Sequence, residues 1–126
     1  MITGDYVSFE TAKLLKEKGF DEECCPWYGS DGNIHKTGCE MRNSDCALDS
    51  MMAPTLQMAM KWLREVHNID IAIYAENAFL GKRYSTSIWK DITKRDEKDG
   101  AIIVAGAITY EEAAETSIKY CLENLL

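Results

Sequence analysis

Three extended segments follow one another between Ile69 and Ala105 with no helical stretch between them. Parallel neighbours need a crossover of a dozen or more residues, usually a helix, so this succession predicts antiparallel pairing. Ile69, Ile71 and Ile73 alternate with Asp70, Ala72 and Tyr74, the pattern of a half-buried strand. A second segment is expected over Tyr84–Ile92. A third, Ala101–Ala105, is continuous in apolar residues and therefore reads as an inner strand, entered through an Asp99-Gly100 turn.

The remaining apolar periodicity is helical. Ser8 is a good N-cap for a helix carrying Phe9, Ala12 and Leu15, and Gly19 followed by Phe20 predicts a Schellman ending with Phe20 against Leu15. Pro54 is placed in the first turn of a second helix with Leu56, Ala59, Met60, Leu63 and Val66 on its core side, ended by His67-Asn68. Met58 and Trp62 fall outside that stripe and need either a covering loop or a second subunit, so they are the expected oligomer interface. A third helix opens with a capping box, Thr109-x-x-Glu112, runs through Ala114, Ile118, Cys121, Leu122 and Leu125, and is expected to pair Glu115 with Lys119 on its wet side. Between the first two helices, Ser30-Asp31-Gly32-Asn33 reads as a turn joining Cys24–Tyr28 to Ile34–Thr37, while residues 38–52 show no periodicity.

The expected order is α-ββ-α-βββ-α. This is an α+β fold with three helices and an antiparallel sheet of about four to five strands. The 126 residues form one domain, 1–126, with a hairpin and cysteine-rich loop (21–53) inserted between the first and second helices. No apolar run approaches the roughly 20 residues that span a bilayer, and Met1–Glu10 has no export signal, so a cytoplasmic protein is expected. The net charge of −7 argues against general DNA or RNA binding.

Cys24, Cys25, Cys39, Cys46 and Cys121 are an odd set without a secretion context, which favours reduced thiols. Four of them crowd around His35 in residues 24–46, but no Cys-x-x-Cys is present and Cys24 and Cys25 point oppositely in an extended segment, so no metal or cofactor is expected. A Cys/His metal-dependent enzyme built on Cys24, Cys39, Cys46 and His35 is an alternative, with His35 and Cys39 as the base and nucleophile. It lacks an orienting third group, and no hydrolase, phosphate-loop or dinucleotide motif stands elsewhere.

Charge placement says more. Residues 82–98 hold six basic side chains against three acidic ones, a local charge of +3 that leaves −10 to the rest of a chain totalling −7. This stretch is interleaved with aromatic rings, so Lys82, Arg83, Tyr84, Trp89 and Lys90 are the candidate site for an anionic nucleotide-type ligand, preceded by Phe79. A solvated edge strand guarded by lysines explains the same residues.

The strings VSFETAKLLKEKGFDE (Val7–Glu22), APTLQMAMKWLREVHNIDI (Ala53–Ile71) and TYEEAAETSIKYCLENLL (Thr109–Leu126) resemble a family of small proteins encoded by phages, prophages and mobile elements of gut Bacteroidales. The resemblance covers a little under half the chain, includes all three helices and brings no functional residues to transfer. It implies a protein made inside a bacterial cell during infection or lysogeny. The expected function is a non-enzymatic, counter-defence binding protein that sequesters a nucleotide-derived immune signal or blocks a host defence protein. An oligomeric structural or interaction module of the phage is the other expectation.

Overall fold

The computed structural model describes residues 5–36, 38, 40–78, 81–91 and 101–126. Its class is α+β, with the elements in the order α1 (Phe9–Glu17), β1 (Trp27–Tyr28), β2 (Ile34–His35), a 3-10 turn (Asn43–Asp45), β3 (Met51–Met52), α2 (Leu56–His67), β4 (Asp70–Ala78), β5 (Gly81–Trp89), β6 (Ala101–Ala107) and α3 (Tyr110–Asn124). The strands make two antiparallel sheets of three, β2-β1-β3 and β4-β5-β6, rather than one sheet of four to five. Two-residue strands carry too little side-chain alternation to announce themselves, which is why β3 is silent in the sequence.

Helix punctuation follows the side chains. Ser8 accepts the Thr11 N–H, and α1 closes as a Schellman motif: Gly19 takes φ +94°, its N–H bonds Lys16 O at 3.2 Å, and the Phe20 N–H bonds Leu15 O at 2.9 Å. In α2 the cap is Thr55, which accepts the Met58 N–H, so Pro54 stands before the helix and not in its first turn. Leu56, Ala59, Met60 and Leu63 are buried as the periodicity requires, but Val66 is 57% exposed, on the side of α2 that carries Met58 and Glu65. Asn68 ends the helix with φ 57°.

The meander β4-β5-β6 is the larger sheet. Its register sets Ile71 opposite Ile88 and Ile73 opposite Thr86, with Ile102 opposite Ile88 from the other side. This face packs under α3, joined by Ile69 from the end of α2 and by Ile118, Cys121 and Leu122 from α3. Among the described residues β6, which contains the run Ala101–Ala105, pairs only with β5 and so lies at the sheet's edge, correcting the expected inner position. A bulge between Tyr84 and Thr86 in the pairing, with Gly106 at φ +96°, twists the far end of that edge away.

Residues 21–53 fold back on the helices as the small sheet and the 3-10 turn. Asn43, 5% exposed, holds this excursion: its Nδ2 donates to Phe20 O at 2.7 Å and its Oδ1 accepts the Met52 N–H at 2.9 Å. The chain leaves the excursion beside Tyr6 and Val7, where the Val7 N–H donates to Pro54 O at 3.0 Å and Tyr6 bridges to Thr55.

α1 is tied to α3 across the whole chain. The Glu115 carboxylate accepts from the Ser8 N–H at 3.1 Å, from the Ser8 hydroxyl and from the Thr11 hydroxyl at 2.6 Å. The expected Glu115–Lys119 pair is therefore absent. Glu115 satisfies the start of α1, while Lys119 turns to Glu10 at 2.8 Å and Glu123 at 4.0 Å. The Thr109 hydroxyl accepts the Glu112 N–H, and Glu112 reaches back to the Ile108 N–H, one residue beyond the expected capping box.

Two core hydroxyls are unpaired. Thr86 and Ser117 are fully buried, and their oxygens have no hydrogen-bond partner. Thr86→Val removes an unsatisfied dipole at nearly constant shape, so its thermal unfolding is expected to shift upward by the equivalent of about 1 kcal/mol. A lower melting temperature would show that the hydroxyl is bonded in solution.

Candidate functional site

Strand alternation divides the five residues of the expected ligand site. Ile71, Ile73, Tyr84, Thr86 and Ile88 share the helix-covered face, and the Tyr84 ring meets Tyr110 of α3 edge-on at 6.2 Å. Lys82, two residues before Tyr84 on the same side, stands 5.4 Å over its ring. Arg83 and Trp89 face the other way. They are six residues apart on β5, about 20 Å at 3.3–3.4 Å per residue. Lys90 is exposed beyond the strand end. Phe79 lies outside the described residues, as do the basic side chains at 94, 95 and 98. Among the described residues the five do not converge on one concavity, and none of them lines the cavities that lie between α2 and the 21–53 excursion, between α1 and that excursion, or along α3 beside Ser8.

The side of the meander away from the helices brings together a different set. The register aligns Asp70 with Trp89, Ala72 with Ser87, Tyr74 with Ser85 and Glu76 with Arg83. Ser85 donates to Glu76 Oε2 at 2.9 Å, and the Ser87 hydroxyl lies 3.5 Å from the Tyr74 hydroxyl. Tyr74 is 40% exposed. The Arg83 guanidinium donates to the Lys82 carbonyl at 3.1 Å. No described helix covers this face. Its exposed or half-buried side chains are Asp70, Tyr74, Glu76, Arg83, Ser87 and Trp89, while Ser85, 3% exposed, is buried against Glu76. Tyr74 and Glu76 do not stand out in the sequence because what groups them with Arg83 and Trp89 is the pairing register with β5, which a single strand does not reveal.

The apolar surplus of α2 resolves differently for its two residues. Trp62 is only 5% exposed, packed edge-on against Phe20 at 5.4 Å and His67 at 4.6 Å. Phe20 and His67 pack against it within the chain, so its burial needs no second subunit and its assignment to an oligomer contact is corrected. Met58 remains 37% exposed. Between α2 and the excursion lies a cavity of about 320 Å³, lined by Glu22, Glu23 and Arg42 on one bank and by α2 on the other.

No family model, curated protein or solved structure matches the chain.

The cysteines are dispersed by function of the fold. Cys24 is buried with its Sγ 3.7 Å from Met58 Sδ, its neighbour Cys25 turns the other way to the Gly38 carbonyl, and Cys46 lies 3.4 Å from Met52 Sδ. Cys39 lies outside the described residues. Among the described residues no group of three His, Cys, Asp or Glu side chains is placed to hold a metal ion. His35 stacks on Trp27 at 4.2 Å. No described helix is long and apolar enough to cross a membrane.

Burial pushes the Cys24 thiol up to about 11 and the Cys121 thiol up to about 12, from an ordinary 9.0. The fold thus favours the protonated thiols, so their contribution to stability is complete below pH 9 and is lost as pH rises through the folded values. Each thiol is expected to add about 1.4 kcal/mol per pH unit to the alkaline loss within its window. Urea melts between pH 8 and about 11 check this: Cys121→Ala is expected to flatten the slope by about one proton.

Proposed function

We propose that the chain is a non-enzymatic binding protein that uses the helix-free face of the meander to cover a basic surface of a partner protein. The observation that carries this reading is the grouping of Tyr74, Arg83 and Trp89 with Asp70 and Glu76 on one side of the sheet. Tyr, Trp and Arg supply most of the energy at protein interfaces. The two carboxylates, on a chain of net charge −7, steer that face toward cations and away from phosphates. Capture of a nucleotide-derived signal needs the opposite charge and a concave site, so blocking is the better supported arm. The phage setting implied by the three helical strings gives such a cover its role, the obstruction of a host defence protein in the bacterial cytoplasm.

A photo-crosslinking side chain at position 74, expressed in a bacterial host, tests this. One predominant partner with a basic surface is expected. Its binding to the purified chain should weaken at least tenfold with Glu76→Lys, beyond the lowered melting temperature that loss of the Ser85 hydrogen bond brings, and should fall steeply with salt. Saturable stabilisation by cyclic dinucleotides or ADP-ribose, about 2.7 kcal/mol at 100 times Kd, would replace the protein partner with a nucleotide.

A further inference from the structure

We infer that the exposed stripe of α2 is a self-complementary contact between two copies of this chain. The inference is independent of the sheet-face reading. Met58, Lys61, Glu65 and Val66 lie at helical spacing along the outer bank of the 320 Å³ cavity, with Trp62 as its floor. Met58 is 37% and Val66 57% exposed, two apolar side chains two turns apart on an otherwise polar side of the helix.

The charges select the occupant. Arg42, on the facing bank, is engaged within the chain by Glu23 at 3.6 Å and by the Asp21 carbonyl at 2.6 Å. Lys61 and Glu65 form no ion pair with any described residue. They sit one turn apart, symmetrically about Leu63, while Met58 and Val66 sit symmetrically about Trp62. Two such helices laid antiparallel across a twofold axis at this level set Met58 against the partner's Val66 and Lys61 against the partner's Glu65, each contact occurring twice. A parallel arrangement sets like on like. The stripe is thus complementary in both apolarity and charge to its own inverted copy, and the cavity gives the incoming Val66 a recess. One helix stripe buries less than the roughly 1,200 Å² of a permanent interface, so the dimer is concentration-dependent.

Light scattering from about 5 to 500 µM reads the result. The mass is expected to rise from 14.2 kDa toward twice that value. Lys61→Glu and Glu65→Lys each place like charges across the axis and should raise the dissociation constant at least tenfold. The double variant restores opposite charges and should return it to within about threefold of the original. Both positions are exposed, so dilute melting temperatures should be unchanged. A monomer throughout the range overturns the inference, as does a dimer indifferent to the single changes. Failure of the double variant to recover pairing overturns it too, including where only another protein's helix is bound by the stripe.

Discussion

Trp62→Ala is expected to lose about 3–5 kcal/mol of stability, the largest effect of any single change proposed for this protein. The indole is 5% exposed and touches Phe20 and His67 edge-on, so truncation empties a space bounded by Phe20, just beyond α1, and by the last turn of α2. Domains of this size are commonly stable by 5–15 kcal/mol, so the variant approaches unfolding at ambient temperature. Urea denaturation should show a lower midpoint at unchanged slope. The loss should persist in dilute solution, where the chain is monomeric, because the indole packs against Phe20 and His67 of its own copy. A loss that disappears on dilution would return Trp62 to a contact between copies.

Asn43→Ala is the second large effect, about 2–4 kcal/mol. Its amide is the single link between the Phe20 carbonyl and the Met52 N–H, and both backbone groups are buried with it. Removing it strands a donor and an acceptor in the core. Asn43→Asp keeps the acceptor for Met52 but sets a carboxylate oxygen against the Phe20 carbonyl, so it should be no milder than alanine. Hydrogen exchange should localise the damage: Met52 and its neighbours lose protection first, with α3 unaffected until global unfolding. Uniform loss across the chain would mean that the excursion and the helices open together.

The helices were legible because each carries its signals within a few residues. Ser8 with Gly19-Phe20, Asn68, and Thr109 with Glu112 are local punctuation, and local punctuation survives any tertiary setting. The α+β class followed from the lack of crossovers after Ile69. What the letters could not convey depends on partners distant in sequence. Glu115 and Lys119 have the right spacing to pair, yet Ser8 and Glu10, over 100 residues away, compete for them. Ala101–Ala105 reads as interior because its composition is apolar, but position in a sheet is decided by which strand lies beyond, and beyond β6 no described strand pairs. The basic aromatic stretch looked like one site because its residues are adjacent in sequence. A strand turns alternate residues to opposite sides, so adjacency there separates Arg83 from Tyr84. Trp62 and Met58 were correctly singled out as surplus to the sheet contact, and the cover for Trp62 came from Phe20 and His67.

The clasp of Glu115 on Ser8 and Thr11 also governs how the molecule is made. During synthesis the first helix leaves the ribosome long before the residue that anchors it exists, and its apolar side, with Ala12 and Leu15 fully buried in the finished fold, must wait. Nascent chains stalled ahead of position 115 should therefore remain open to protease at α1, and completion of the final helix should close the first.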